Sequence, residues 1–205
     1  MIQLNNITTG YSRDKPLLKS FTYEFDSKIY GILGESGCGK STLLRTIAGL
    51  MKPLDGTILV DGSPLKRADK NDIYMMHQNY TSFNWLNCID NVLISKKIKH
   101  QRITKEDINQ AEEMLNQVGI YKHKDKYPTQ LSGGMRQRLA LARTIFMKPN
   151  VILMDEPLSA LDETTRRNMQ DLILDLHRET NNTIIMVTHS KEEALKMCSN
   201  IITLK

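Results

Sequence analysis

A glycine-rich stretch between two apolar runs is the feature that most constrains the fold of this chain. The stretch consists of Gly34, Glu35, Ser36, Gly37, Cys38, Gly39, Lys40, Ser41 and Thr42. The run at 29–33 precedes it and the run at 43–48 follows it, so a buried strand is predicted to lead through a loop into a helix. This order of elements is typical of a phosphate-binding loop.

Each part of this loop has a physical reason to bind a polyphosphate. Glycines let successive backbone N–H groups turn towards the phosphates, and the following helix adds partial positive charge at its N-terminus. We expect Lys40 to reach the terminal phosphates, while the Ser41 hydroxyl suits Mg²⁺, a hard ion that prefers oxygen ligands. A glycine-rich turn with a coincidental lysine is the alternative, and the strand–loop–helix context disfavours it. The loop therefore predicts nucleotide binding.

Composition and length narrow the class of protein. The chain has 205 residues, of which 40% are hydrophobic and 25% charged, as in a globular protein with one sizeable core. The net charge of +5 suits a membrane surface or nucleic acid but selects neither. The sequence shows neither a basic leader nor an apolar run of bilayer length. We therefore expect a cytosolic chain or one attached to a membrane protein.

Alternating residues and turn signals predict strands in the first third of the chain. Apolar and polar residues alternate at 2–7 and 21–25, as in half-buried strands. The Asp55-Gly56 and Asp61-Gly62 pairs flank a β-branched run, which predicts a hairpin. A further core strand is predicted to end at Gln78, and open α/β sheets bind ligands at that end of a strand. An ordinary edge glutamine is the alternative for Gln78.

Helical patterns replace strands in the middle of the chain. Thr104 and the acidic residues after it predict a helix start. Apolar residues then recur at helical spacing, at Ile108, Ala111, Leu115 and Val118. We predict a single domain over 1–205, with a core at 1–78 and 151–205 and a helical subdomain at about 79–150.

A serine and two glycines open another predicted helix. Ser132 is a good N-cap, and Gly133 and Gly134 follow it directly. Free N–H groups and the helix dipole would make this start a second anion-binding site. Plain capping is the alternative, but capping needs one serine and not two glycines that weaken the helix.

Two adjacent carboxylates end the most apolar run. Residues 151–154 have the pattern of a parallel strand buried on both faces, and Asp155 and Glu156 follow. Buried carboxylates are costly unless a cation and catalysis use them. In P-loop enzymes the first holds Mg²⁺ through its water shell. Because side chains alternate along a strand, we expect Glu156 to point elsewhere and to accept a proton from the attacking water.

His189 ends the last central strand pattern, at the same predicted edge of the sheet. A lone histidine is more often structural than catalytic, but its position beside the predicted phosphate site favours a functional role.

In this order the motifs resemble those of the nucleotide-binding subunit of an ABC transporter, over essentially the whole chain. The matching segments are the phosphate loop, Gln78, the signature at 131–137, the strand and carboxylates at 151–156, the segment at 159–162 and His189. The resemblance implies an α/β fold: a P-loop NTPase core of the ABC-type ATPase, with an antiparallel β subdomain and an inserted α-helical subdomain. It also implies an enzyme that couples ATP hydrolysis to transmembrane transport.

The resemblance implies roles for single residues and a dimer that shares them. Two subunits would dimerise head to tail, with each ATP between the phosphate loop of one and Ser132, Gly133 and Gly134 of the other. Residues that would bind ATP or Mg²⁺ include Tyr11 on the adenine, the loop from Gly34 to Thr42, and, on the metal, Gln78, Ser41 and, through the water shell, Asp155. Glu156 resembles the general base, His189 the switch histidine on the γ-phosphate, and Asp162 the aspartate that couples the two sites.

A finer resemblance is to importers of the nitrate, sulfonate and taurine type. It rests on Met135 within the signature, on Asn84-Trp85-Leu86 and on the segment at 164–170. Asn84 stands where proline is usual, and Ser190 stands where aspartate is usual. The resemblance implies transmembrane permease subunits and a solute-binding protein as partners, at the cytoplasmic face of a bacterial membrane. We expect the permease to dock on the loop from Thr81 to Leu86, beside Gln78.

Two other functions are weighed against this one. An ABC-type ATPase acting on nucleic acid or ribosomes would suit the basic balance, but such proteins usually carry a long coiled-coil insertion or two ATPase units. A nucleotide-binding module without hydrolysis is disfavoured because Glu156 and His189 are both present. We therefore expect no nucleic-acid partner.

Overall fold

The computed structural model describes residues 1–65, 72–77 and 82–204 of the chain. These residues form both strands and helices. The strands are β1 (Ile2–Thr9), β2 (Leu18–Phe25), β3 (Ile29–Gly34), β4 (Asp55–Val60), β5 (Ser63–Pro64), β6 (Ile73–Met76), β7 (Val151–Asp155), β8 (Thr183–Val187) and β9 (Asn200–Leu204). The α-helices are α1 (Lys40–Ile47), α2 (Cys88–Val92), α3 (Ile94–Ile98), α4 (Lys105–Gln117), α5 (Gly133–Met147), α6 (Glu163–Thr180) and α7 (Lys191–Met197). Of the helices in these ranges, none is long and apolar enough to cross a membrane.

The strands form two sheets of different type. One sheet has the order β2-β1-β4-β5 with antiparallel pairs, and the other has the order β6-β7-β8-β3-β9. In the second sheet β7 pairs with β8, β8 with β3, and β3 with β9, all in parallel. The predicted α/β class with an antiparallel β subdomain is confirmed.

Burial explains the two strand patterns. Every residue of β7 and β8 is buried, as the continuous apolar runs predict for parallel strands covered on both faces. Strand β1 instead alternates, with Ile2, Leu4 and Ile7 fully buried. These side chains join those of β3, α1 and β8 in one hydrophobic core.

The chain divides into two compact units. The first comprises Met1–Met75, Pro149–Glu156 and His177–Lys205, and the second comprises Met76–Lys148 and Pro157–Leu176. The second unit therefore takes in residues 157–176, which the sequence-based division assigned to the core. The predicted single domain with an inserted helical part stays a prediction.

In the helical unit, α4 begins with a capping box. The Thr104 hydroxyl accepts a hydrogen bond from the Asp107 N–H, and the Asp107 carboxylate accepts one from the Thr104 N–H, which confirms the predicted start of α4. That backbone bond and Lys96 lower the pKa of Asp107 to about 2. Ala111 and Leu115 are buried in α4, whereas Ile108 is 40% exposed.

One of the two predicted Asp-Gly turns is a turn, and the other is not. Asp61 and Gly62 have φ values of 48° and 74° and connect β4 to β5, as in a type I′ hairpin. Asp55 and Gly56 instead begin β4, where Gly56 has a φ of 85° beside a register shift in β1. The local sequence is the same in both places, and the antiparallel partner decides the difference.

We expect Gly56→Ala to destabilise the fold far more than Gly62→Ala. A Cβ at Gly56 would lie 2.5 Å from the Asn5 carbonyl oxygen, whereas a Cβ at Gly62 would meet nothing within 4 Å. Both changes carry the cost of a left-handed alanine, about 1–2 kcal/mol, and only Gly56→Ala adds a backbone clash worth about 1–3 kcal/mol. Urea unfolding followed by circular dichroism measures the difference, and equal losses would contradict this account.

Candidate nucleotide-binding site

The phosphate loop has the backbone that its glycines predict. It leaves β3 at Gly34 and enters α1 at Gly39, whose φ of 99° only glycine adopts without strain. A Cβ at Gly34 would lie 2.8 Å from the Cys38 sulfur, so the loop is tightly folded there. At Gly37, with a φ of 86°, a Cβ would meet no atom within 4 Å. The loop is therefore close-packed at its base and open at its tip, where a phosphate can approach.

Lys40 lies inside this loop. Only 6% of the residue is exposed, and its ammonium group donates hydrogen bonds to the carbonyl oxygens of Gly34 at 2.8 Å and Glu35 at 2.7 Å. The positive charge is thus held within the curve of the loop rather than in solvent. Thr42, one turn into α1, is buried, whereas Ser36 is exposed.

The predicted metal ligands Ser41 and Asp155 are brought together across 114 sequence positions. The Ser41 hydroxyl donates a hydrogen bond of 2.9 Å to Oδ1 of Asp155, which is 2% exposed at the end of β7. The described residues contain no group of three or more His, Cys, Asp or Glu side chains that could hold a metal. One hydroxyl and one carboxylate fit Mg²⁺, which is commonly bound by few protein ligands together with substrate phosphates and water.

Glu156 faces His189 at the end of the strand. Its Oε1 lies 2.7 Å from Nε2 of His189, and the Glu156 side chain is 18% exposed while that of His189 is 48% exposed. The prediction that alternation of side chains along the strand orients Glu156 is wrong. Strand β7 ends at Asp155, and Glu156 has a φ of 53°, so Glu156 is not part of that strand. Its N–H still donates to the Val187 carbonyl at 3.0 Å.

The signature serine caps α5 as predicted. The Ser132 hydroxyl accepts a hydrogen bond of 3.3 Å from the Met135 N–H. A Cβ at Gly134 would lie 3.3 Å from the Ala160 carbonyl oxygen, whereas a Cβ at Gly133 would meet nothing within 4 Å. Gly134 therefore has a packing role, and Gly133 leaves the helix start uncovered.

Gln137, the last residue of the signature segment, is buried, and the sequence alone assigned it no role of its own. Gln137 is 1% exposed; its amide donates to the Pro157 carbonyl, and its Oε1 accepts from the Ala160 N–H at 3.2 Å. It fastens α5 to the turn that follows Glu156. No sequence signal distinguishes it, because Arg143 and Thr144 are polar residues of the same helix and are buried as well.

The remaining predicted site residues are less constrained by the structure. Tyr11 is 74% exposed in the loop between β1 and β2, so its ring is available for stacking. Asp162 accepts a hydrogen bond of 3.0 Å from the Thr165 N–H at the start of α6, and this backbone bond lowers the pKa of Asp162. Gln78 lies outside the described residues. The roles assigned to these residues stay predictions.

Fold and site together define a P-loop nucleotide-binding protein, and comparison with known proteins gives the family. The family model described as ABC transporter matches residues 20–159. The taurine import ATP-binding protein TauB of Jannaschia sp. (strain CCS1) is 42% identical over 86% of this chain and 65% of its own length. The aliphatic sulfonates import ATP-binding protein SsuB 2 of Agrobacterium fabrum (strain C58) is 42% identical over 85% of this chain and 64% of its own length. The chain belongs to the ABC transporter family.

A solved structure supports the same assignment. The ATP-binding cassette MJ0796, solved as a dimer in a post-hydrolysis state bound to ADP and Pi, superposes with a TM-score of 0.90 at 30% identity, covering 100% of this chain and 94% of that one. The predicted ABC-type fold and the resemblance to taurine and sulfonate importers are thereby confirmed. The chain spans about 65% of the length of these curated relatives.

We expect Ser41→Ala to remove most of the effect of Mg²⁺ on nucleotide affinity. The hydroxyl is one of the protein oxygens predicted to bind the ion, and losing about 1.4 kcal/mol of metal binding corresponds to about a tenfold change. Titration with a fluorescent ATP analogue, with Mg²⁺ and with EDTA, measures the effect. In EDTA wild type and variant should bind alike, and an equal Mg²⁺ effect in both proteins would exclude Ser41 as a ligand.

Proposed function

We propose that the chain is the ATP-hydrolysing subunit of an ABC transporter, which dimerises head to tail on two ATP molecules and drives a separate membrane permease. The observation that supports this most directly is the arrangement at the carboxyl edge of the parallel sheet. There the Lys40 ammonium, the Ser41–Asp155 pair and the Glu156–His189 pair all belong to one compact unit. A cation, a metal ligand pair and a carboxylate base are the groups that ATP hydrolysis requires.

In the proposed reaction, water attacks the γ-phosphorus in line, the bond from that phosphorus to the β–γ bridging oxygen breaks, and ADP leaves. Glu156 accepts the proton of the water, and Gln78 helps to orient the water. Lys40 and His189 stabilise the charge on the transferred phosphoryl group, and the partner subunit adds its signature serine. Bound Mg²⁺ would supply charge neutralisation on the phosphate oxygens from the Ser41–Asp155 side. Because Nε2 of His189 now contacts Glu156, that nitrogen must leave the carboxylate before it can bind a phosphate.

The second half of each site is proposed to come from the partner subunit. Ser132 is exposed, and the position of a Cβ on Gly133 is open, so the start of α5 can accept an anion from outside its own chain. The dimeric state of the MJ0796 cassette supports this arrangement.

The permease is proposed to dock on the aromatic loop that holds Trp85. Trp85 is 73% exposed, with its ring 5.3 Å from that of Phe83, whose ring is in turn covered by the Arg143 guanidinium. Asn91, fully buried, accepts from the Phe83 N–H and donates to the Phe83 and Leu86 carbonyls. Such a rigid loop presents an exposed aromatic anchor at low entropic cost. Thr81, the first residue of the predicted docking loop, lies outside the described residues.

Import of a small anion such as a sulfonate or nitrate is the proposed transport function, at the cytoplasmic face of the membrane and with a solute-binding protein. The names of relatives that include taurine and sulfonate importers support it. A spermidine/putrescine import ATP-binding protein, PotA of Mesoplasma florum, is also 37% identical, so similarity of the cassette does not select the charge of the solute.

An ATPase acting on nucleic acid or ribosomes is the alternative, and the names of the relatives do not favour it. A salt-sensitive affinity for nucleic acid would support that alternative.

We expect Glu156→Gln to retain ATP binding but to slow ATP turnover by about 10²–10⁴-fold, the usual contribution of a positioned base. Turnover is measured by phosphate release and binding by a fluorescent ATP analogue. With ATP the variant should accumulate as a dimer on size-exclusion chromatography. Adding Ser132→Arg should abolish the dimer while leaving the binding of ATP by the monomer intact. A dimer that survives this second change would contradict the shared site.

We expect Trp85→Ala to weaken docking on the permease by about 2 kcal/mol or more, as for a central aromatic anchor. The fraction of the chain retained on washed membranes of its native cells measures docking. Leu195→Ala is the matched control, because Leu195 is an apolar side chain of 64% exposure with no proposed partner. Equal retention of the Trp85 variant and wild type would show that the loop is not the docking site.

A further inference from the structure

Glu193, which follows His189 by four positions in the chain, has a buried carboxylate with no part in the proposed reaction. Glu193 lies on α7 and is 6% exposed. The hydroxyl of Thr188, itself 3% exposed, donates a short hydrogen bond to Oε2 of Glu193. Burying a carboxylate is costly, so the fold gains something from having it there.

Thr188 and Ser190, the two neighbours of His189 in the chain, both form hydrogen bonds with Glu193. Since the Thr188 hydroxyl hydrogen is committed to Glu193, its oxygen can accept the Ser190 N–H, at 3.1 Å. The Ser190 hydroxyl in turn accepts the Glu193 N–H, at 3.1 Å. The residues immediately before and after His189 are therefore both tied to Glu193, while the imidazole itself reaches Glu156.

The helix that carries Glu193 is itself closely seated on the sheet. A Cβ on Gly31 in β3 would lie 2.9 Å from the Cys198 sulfur and 3.4 Å from Cβ of Ala194. Burial, with a smaller contribution from the Glu193 charge, raises the pKa of Cys198 to about 12. The helix α7 and the residue that follows it are thus packed closely against the strand that leads into the phosphate loop.

Plain helix capping does not account for this arrangement. Capping of α7 needs only the Ser190 hydroxyl on the Glu193 N–H, which any residue at position 193 would provide. The side-chain carboxylate acts instead on Thr188, outside the helix and next to His189.

We propose that Glu193 is a positioning residue for His189, acting through the Thr188 hydroxyl and the Ser190 N–H to hold the imidazole at the reacting end of the sheet. This inference rests on the proposed ATPase function, because it assigns Glu193 a share in the geometry of that reaction. Misplacement of a reacting group by about 1 Å can cost about 10²-fold in rate, so a support of this kind affects turnover without touching substrate.

Paired variants of Glu193 test the proposal in the full chain. Glu193→Ala removes the acceptor and should lower kcat for ATP about 10- to 100-fold with KM within about twofold. Glu193→Gln keeps a side-chain oxygen for Thr188 and should retain kcat within about threefold. Asp107→Ala, which deletes a buried capping carboxylate in the other compact unit, is the control for general destabilisation and should leave kcat unchanged. A fall in kcat of equal size in the Ala and Gln variants, or in the control, would overturn the proposal.

Thr188→Val breaks the same link with a side chain of equal shape, and Thr188→Ser restores it. This pair decides the question if Glu193→Ala does not fold: Val should lower kcat as Glu193→Ala does, and Ser should keep it near wild type. Equal kcat for the Val and Ser variants would contradict the proposal.

A readout that does not require turnover separates this inference from the proposed function. In protein labelled at histidine, the ring resonance of His189 is assigned by its absence in His189→Ala. We expect Glu193→Ala and Thr188→Val to shift or split that resonance, and Glu193→Gln to leave it near its wild-type position. An unchanged resonance in the Ala and Val variants would overturn the positioning role. A wild-type chain that fails to hydrolyse ATP would instead overturn the proposed function.

Discussion

The hydrogen bond from the Ser41 hydroxyl to the Asp155 carboxylate is the contact on which the candidate site depends. It joins the first turn of α1, which follows the phosphate loop, to the last residue of β7, after which Glu156 follows directly. Burying a carboxylate at 2% exposure is favourable only with partners, and the hydroxyl is one of them. The same contact holds a hydroxyl and a carboxylate oxygen at the spacing that a hard cation and its water shell can use.

The strained backbone of Glu156, the residue after Asp155, sets the direction of the Glu156 side chain. A glutamate at a φ of 53° is unfavourable by about 1–3 kcal/mol, and such strain persists where surrounding structure imposes it. Here the Glu156 N–H donates to Val187, so parallel pairing with β8 continues one residue beyond β7 while the side chain turns towards His189. Glu156 and His189 therefore contact each other just beyond the ends of two neighbouring strands of one sheet.

Two buried polar side chains, Gln137 and Glu193, form hydrogen bonds with segments next to predicted site residues. Gln137 fastens the signature helix to the turn after Glu156, and Glu193 fastens the residues on both sides of His189. Each buried hydrogen bond of this kind makes one local conformation more favourable than its competitors. The His189 side chain is 48% exposed, yet both of its neighbours in the chain are held by hydrogen bonds.

The sequence by itself determined the phosphate loop, the buried strands and the helix starts at Thr104 and Ser132, because glycines, apolar periodicity and caps act within a few residues. It did not determine that the Asp55-Gly56 pair lies in a strand or that Glu156 leaves the strand with a left-handed backbone. Only the tertiary structure decided these points, because strand order and hydrogen bonds between distant segments fix them. The meeting of Ser41 with Asp155, 114 positions apart, has the same cause.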